Sequence, residues 1–214
     1  MPDKKNSHAI LLATANRGKI LELSEMLAPC KLNVLGLHDF PDLSAVEEDG
    51  STFMDNALKK ARHAAQHTGL YAIADDSGLS VDALHGAPGV YSARYAGRLE
   101  NGRQIPADDA ANIAKLLAEL KDVPAGQRQA RFCCAMVAVS PDGREITAEG
   151  RWEGSIAFTP KGKNGFGYDP VFIDSVSGRH AAELNRDEKN ARSHRGKALA
   201  ALLAQWPDFW RPDS

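Results

Sequence analysis

Two aspartates side by side, Asp75 and Asp76, follow the apolar run Tyr71-Ala-Ile-Ala74 and precede Ser77-Gly78. In open α/β sheets ligands gather beyond the carboxyl ends of strands, so acids at a strand end fall where a substrate is expected. Adjacent carboxylates in a partly buried place repel each other unless a cation offsets them, and oxygen donors suit magnesium. Taken alone, the same residues also read as a solvated Asp-Asp-Ser-Gly turn. A second acidic run, Glu47-Glu48-Asp49 before Gly50, offers a further metal ligand from a loop, although charge runs ordinarily lie in solvent.

Thr14-Ala15-Asn16-Arg17-Gly18-Lys19 sits where an apolar strand gives way to helical periodicity. Unpaired N–H groups and the dipole at a helix start suit a phosphate, and Lys19 adds a full charge. The stretch is neither a G-x-x-x-x-G-K-[ST] loop, since Ile20 follows the lysine, nor a G-x-G-x-x-G turn. The plain alternative is a capped turn with a solvated lysine. The long helix also offers Lys59, Lys60 and Arg62, one of which could reach a triphosphate, although exposed helix faces routinely carry such residues.

Gly162-Lys-Asn-Gly165-Phe166-Gly167-Tyr168-Asp169-Pro170 combines glycines that permit close backbone approach with a ring, Phe166, able to lie on a flat base. A glycine-rich hairpin with core aromatics is the competing reading. Near the end of the chain, Lys189, Ser193, His194, Arg195 and Lys197 supply donors for a purine oxo group, while Ser193 also suits a helix N-cap. His63 and His67 have metal-ligand spacing on a helix but lack the glutamate that zinc proteases use, and read as solvent-facing.

A fold must bring these stretches together, and strand and helix signals interleave along the chain. His8–Thr14 reads as a buried strand, followed by a helix from Lys19 with Leu21, Met26 and Leu27 on one face. Lys31–Leu37 reads as a strand, Ser51–Thr68 as an alanine-rich helix stopped by Gly69, and Tyr71–Ala74 as a strand. Ala107–Leu120 is helical in pattern, and Gln129–Ser140 turns through Pro141-Asp-Gly143 into Glu145–Glu153 as a hairpin. A short strand at Val171–Ile173 and a helical carboxyl region complete the order. Such alternation predicts an α/β fold, and the hairpin predicts a mixed central sheet with flanking helices.

With 214 residues the chain has the length of one substantial domain, residues 8–214, behind a flexible polar tail at 1–7. Twenty-six Lys and Arg against 28 Asp and Glu leave a net charge of -2, so no global positive field draws nucleic acid or a membrane surface. Three cysteines, Cys30, Cys133 and Cys134, form neither a zinc pattern nor a disulfide framework. The run Ala9–Ala13 is far too short to span a bilayer, and a cytoplasmic protein is expected.

Taken in register, T-x-N-x-x-K-x-x-E at Thr14–Glu22, A-D-D-S-G-L at Ala74–Leu79, G-A-P-G-V-Y-S-A-R-Y at Gly86–Tyr95, G-F-G-Y-D-P at Gly165–Pro170 and S-H-R-G at Ser193–Gly196 closely resemble the inosine/xanthosine triphosphate pyrophosphatase family. The likeness runs from about Ala9 to Leu203. It implies a hydrolase that cleaves ITP, dITP and XTP to monophosphate and pyrophosphate, a homodimer, and two lobes around a substrate cleft. It makes Thr14, Ala15, Asn16, Arg17, Gly18 and Lys19 the phosphate loop, with Lys60 also on the phosphates. It makes Glu47 and Asp76 the Mg²⁺ ligands and Asp76 the proton acceptor for water, and leaves Ser77, Phe166, Gly167, Tyr168, Asp169, Lys189, His194 and Arg195 as the remaining substrate contacts. A relative acting on modified pyrimidine nucleotides and a non-catalytic nucleotide-binding module are the rival readings.

Overall fold

The alternation of apolar residues along the strands decides which helix covers which face of the sheet. The computed structural model describes residues 9–30, 32–100, 103–105 and 108–211; the expected tail at 1–7 and the outermost residues His8, Lys31 and Ala107 of three expected elements lie outside them, and Arg98–Pro106, which carries no strand pattern in the sequence, holds two short strands among its described residues. In chain order the elements are β1 (Ala9–Leu12), α1 (Arg17–Leu27), β2 (Asn33–Gly36), α2 (Phe53–Thr68), β3 (Tyr71–Val81), β4 (Arg98–Glu100), β5 (Arg103–Ile105), α3 (Asp109–Glu119), β6 (Gln129–Val139), β7 (Glu145–Ile156), β8 (Phe172–Asp174), α4 (Arg186–Arg192), α5 (His194–Ala204) and α6 (Trp206–Phe209). The main sheet has six strands in the order β2-β1-β3-β6-β7-β8, and β4 and β5 make a separate antiparallel pair. β1 runs parallel to β2 and β3, while β7 and β8 are antiparallel, so the sheet is mixed as expected.

The chain divides into two compact units. The first holds the residues up to Asp76, Cys134–Gly150 and Arg195 onward; the second holds Ser77–Cys133 and Arg151–His194. In the first unit, Ile10, Leu12, Tyr71, Ile73 and Met136 pack with Leu23 and Leu27 of α1 and Leu199 and Leu202 of α5. The intervening strand residues Leu11, Ala72, Ala74, Val137 and Val139 pack instead with Ala57, Ala61, Ala64 and Ala65 of α2. Period-two alternation in the strands therefore meets helical spacing on both sides. Alanine at four positions on one face of α2 lets its backbone approach the sheet closely. Leu21, assigned to the apolar face of α1 from sequence, is 48% exposed; the buried stripe consists of Leu23 and Leu27, one turn apart.

The second unit packs Leu79, Val81, Leu116, Leu120, Phe132, Trp152, Ile156 and Phe172 into one core. Arg128, 1% exposed, closes one side of it. Its guanidinium donates to the carbonyls of Ile156 (2.8 Å), Leu120 (2.6 Å), Val123 (3.2 Å) and Ala157 (3.2 Å), and it lies 4.3 Å from the Phe158 ring centroid. Burial lowers its pKa, but the four carbonyls receive donors that solvent does not supply. Arg128→Met is expected to strand those acceptors and lower the unfolding free energy by about 2 to 3 kcal/mol in urea melts.

Candidate functional site

The first unit gathers Thr14–Lys19, the turn expected to hold phosphate, and both aspartates. Asn16 caps α1, its Oδ1 accepting the Lys19 N–H at 3.1 Å, and its own N–H donates to Thr14 Oγ1 at 3.2 Å. The turn is thus built by its own side chains, with Thr14 buried and Ala15, Asn16 and Arg17 exposed. Lys19 projects from the first turn of α1 to Asp75, Nζ to Oδ2 at 2.9 Å.

Asp75 and Asp76 do not sit past the end of a strand, as the turn-like Ser77-Gly78 suggested; they lie inside the 11-residue β3. Successive strand residues face opposite ways, so the two carboxylates are turned apart rather than crowded together. Asp75 shares the parity of Tyr71 and Ile73 and meets α1 and α5: Lys19 and the Arg195 Nε, at 3.3 Å, both donate to its Oδ2. Arg195 also pairs with Glu22. Asp76 shares the parity of Ala72 and Ala74 and meets α2: Asn56 Nδ2 donates to Asp76 Oδ2 at 2.9 Å, and Lys60 Nζ lies 3.9 Å from Oδ1. Lys60 also donates to the Asp75 carbonyl (2.8 Å) and to Glu48 (3.0 Å).

These surroundings drive the two acids apart in proton affinity. Burial alone would raise Asp75, yet Lys19, Arg195 and Lys60 together hold its carboxyl below the ordinary range. For Asp76, burial wins over Lys60, Lys19 and the Asn56 bond, Glu48 adds like-charge repulsion, and the pKa rises. Paired titratable groups pushed in opposite directions separate into a fixed charge and a group suited to exchanging protons. Cys134, fully enclosed beside this cluster, has its thiol pKa raised, chiefly by burial, and stays protonated.

In the acidic loop Glu47 is exposed, and its neighbour Glu48 makes the bond to Lys60. Asn56, fully buried, links the loop to the aspartate: its Oδ1 accepts the Gly50 N–H at 2.8 Å while its amide holds Asp76. Asn56 escaped the sequence reading because an Asn in an alanine-rich helix carries no spacing signal; Glu22 closes the T-x-N-x-x-K-x-x-E motif, but its pairing with Arg195 was not read from it. Lys59 pairs with Asp49 and Arg62 with Glu145, which ties both to exposed carboxylates. His67 is exposed, as expected, whereas His63 is half-buried with its Nε2 3.1 Å from the Ser44 carbonyl oxygen; the two rings lie 6.2 Å apart.

The second unit contains Ser77, half-buried in β3, and the loop 161–170. Phe166 donates its N–H to Asp169 Oδ2 at 2.9 Å, and the same oxygen accepts Lys189 Nζ at 2.7 Å. Lys189, buried on α4, lies 4.9 Å from the Phe166 ring centroid. Gly165 has φ +75°, and a Cβ there would collide with the Asp169 carboxylate, so this position requires glycine. The Tyr168 hydroxyl donates to the Ser92 carbonyl at 2.9 Å. Ser193 is buried in extended conformation at the junction of α4 and α5, and His194 stacks on Phe132, centroids 4.8 Å apart at 12°. Lys189, His194 and Arg195, expected as one donor set, are thus held by different neighbours: an aspartate, an aromatic ring and an acidic pair.

Phosphate-suited turn, opposed aspartates and aromatic loop all hang on a mixed α/β sheet whose relatives have been solved. A Ham1 protein structure from Coxiella burnetii superposes with a TM-score of 0.81 at 44% identity, covering 94% of this chain and 98% of that one. The chain belongs to the Ham1 family, whose model matches residues 10–205. A dITP/XTP pyrophosphatase of Nitratidesulfovibrio vulgaris is 59% identical over 204 residues, 94% of this chain and 97% of that protein. A second dITP/XTP pyrophosphatase, from Desulforamulus reducens, is 54% identical over 91% of this chain and 93% of its own length.

Proposed function

We propose that this chain hydrolyses purine nucleoside triphosphates bearing a 6-oxo group, ITP, dITP and XTP, to the monophosphate and pyrophosphate, and so cleanses the nucleotide pool. Names shared by relatives at up to 59% identity support the reaction. The observation that carries it is the split between Asp75, held ionised among Lys19, Arg195 and Lys60, and Asp76, whose affinity for a proton is raised beside them. Phosphoryl transfer needs charge stabilisation, in-line positioning and an acceptor for the proton of water. Asp76 takes that proton; the Thr14–Lys19 turn and Lys60 engage the phosphates; Phe166 offers its face to the base, with Ser77, Gly167, Tyr168, Asp169, Lys189, His194 and Arg195 as further contacts. Donors that satisfy an oxo group meet the amino group of adenine badly, and such a site rejects the wrong group by about 10⁴ to 10⁵.

The donor set near Asp76 fits a hard divalent cation. Burial and the like charge of Glu48 make ionised Asp76 costly, a cost that a cation on its carboxylate oxygens would offset; among the described residues no group of three or more His, Cys, Asp or Glu is gathered for a metal, so the cation would share its ligands with phosphate and water. Mg²⁺ is commonly bound through one or two carboxylates plus substrate phosphates and water. Glu47 and Asp76 are the residues proposed to hold it, and the ion would supply charge neutralisation on the phosphoryl oxygens. Residues 8–214 are read as one two-lobed pyrophosphatase domain that works as a cytoplasmic homodimer; among the described residues no helix is long and apolar enough to cross a membrane.

The test is pyrophosphate release from ITP, XTP, GTP, ATP and a modified pyrimidine triphosphate, each with Mg²⁺ and with a chelator. Magnesium-dependent release from ITP and XTP well above ATP is expected. Preference for the pyrimidine, or ITP binding without release, overturns the assignment.

A further inference from the structure

Residue Phe166 lies between Gly165 and Gly167, both at positive φ, +75° and +61°. Glycines on both sides give a ring little intrinsic orientation, so whatever grips the adjoining amides sets where it points. One grip is Asp169, through the Phe166 N–H. The next amide, Gly167 N–H, is taken by a residue from elsewhere in the chain: Asp109 Oδ2 accepts it at 2.7 Å.

Asp109 is the first residue of α3, where an aspartate ordinarily serves its own helix. Here that task belongs to its neighbour: Asp108 is the N-cap, its Oδ1 accepting the Ala111 N–H at 2.7 Å. The Asp109 carboxylate is thereby available to reach a loop 58 positions away in sequence. The contact is charge-assisted and short, the stronger kind of hydrogen bond, yet Asp109 is exposed, so its net worth to global stability is small. Its effect falls on the orientation of one peptide.

We propose that Asp109 is a positioning residue for base recognition: by holding the Gly167 amide it presets Phe166, beside Lys189, to receive the flat ring of the nucleotide. This rests on the pyrophosphatase reading for its substrate but not for its geometry. In Asp109→Ala the amides of 166–168 are expected to exchange with solvent roughly tenfold faster, and KM for ITP to rise roughly tenfold with kcat altered less than about twofold, the mark of lost uniform binding. Asp109→Asn keeps an acceptor oxygen and is expected to restore both values to within about twofold of wild type. Urea midpoints of the two variants separate this from a weakened helix, which would lower stability without moving KM. The proposal is overturned if exchange at 166–168 is unchanged in Asp109→Ala, if KM stays at the wild-type value, or if Asn fails to rescue. A wild-type chain that releases no pyrophosphate from ITP sinks the functional reading instead, and the exchange measurement still decides whether Asp109 sets the loop.

Discussion

Asp76→Asn is expected to lower kcat/KM for ITP by about 10² to 10⁴, the range associated with loss of a positioned general base. An amide is nearly the same size as the carboxylate and still meets Asn56 and Lys60, but it cannot accept a proton from water at neutral pH. Folding should not suffer. Because the folded pKa of Asp76 lies above its ordinary value of 3.8, the unfolded chain releases this proton first as pH rises, and wild-type stability declines from there through the folded pKa. Asparagine removes that loss, so its urea midpoint at pH 7 should match or exceed wild type. In the metal-free protein the same raised pKa places the titration of Asp76 above the usual aspartate range. A variant retaining a tenth or more of wild-type activity would falsify the proton-acceptor role.

Asp75→Ala is expected to do the reverse, damaging the fold most. Asp75 is 0% exposed, Arg195 is 2% exposed, and the side chain of Lys19 is 12% exposed, so solvent does little to screen what remains when the anion is removed. Breaking one side of a buried, hydrogen-bonded charge cluster costs about 3 to 5 kcal/mol. The pH dependence has a definite sign. With a folded pKa below 3.8, Asp75 contributes its full stabilisation above pH 3.8 and loses it as pH falls toward the folded value. Wild type should therefore lose stability between neutral and strongly acid solution by more than Asp75→Ala does. Equal urea midpoints for the two proteins at pH 7 would show that Glu22 alone satisfies Arg195.

The order of the main-sheet strands and the helices between them was legible because apolar periodicity changes at each boundary, and Gly69, Pro124 and Pro141-Asp-Gly143 punctuate it; β4 and β5, three residues each, lack that periodicity and were not read. The strand-to-helix turn at Thr14–Lys19 was legible as well, since Asn16 caps α1 where the apolar run ends. Position along a strand was harder. Ser77-Gly78 has the composition of a turn, but Leu79 and Val81 resume burial and carry β3 onward, so tertiary packing overrode a local signal. Sequence reasoning therefore placed two acids together that the pleat turns apart; for Asp75 the offsetting charge comes from Lys19, Arg195 and Lys60. Pairings between residues distant in the chain were not legible: Glu22 with Arg195, Asn56 with Asp76 and Asp109 with Gly167 are visible only in three dimensions.

The pleat has one more effect, on which changes of length this protein can absorb. The register pairing Ile10 with Tyr71, Leu11 with Ala72 and Leu12 with Ile73 fixes which side of the sheet every later residue of β3 faces. Deleting or inserting a single residue between Ala72 and Asp75 would exchange the sides, sending one acid among alanines and leaving the cations of the other with nothing to neutralise. Insertions at the Pro141–Gly143 turn meet no such constraint. Lineages of this chain should accordingly vary in length there and keep the spacing from Tyr71 to Asp76 fixed.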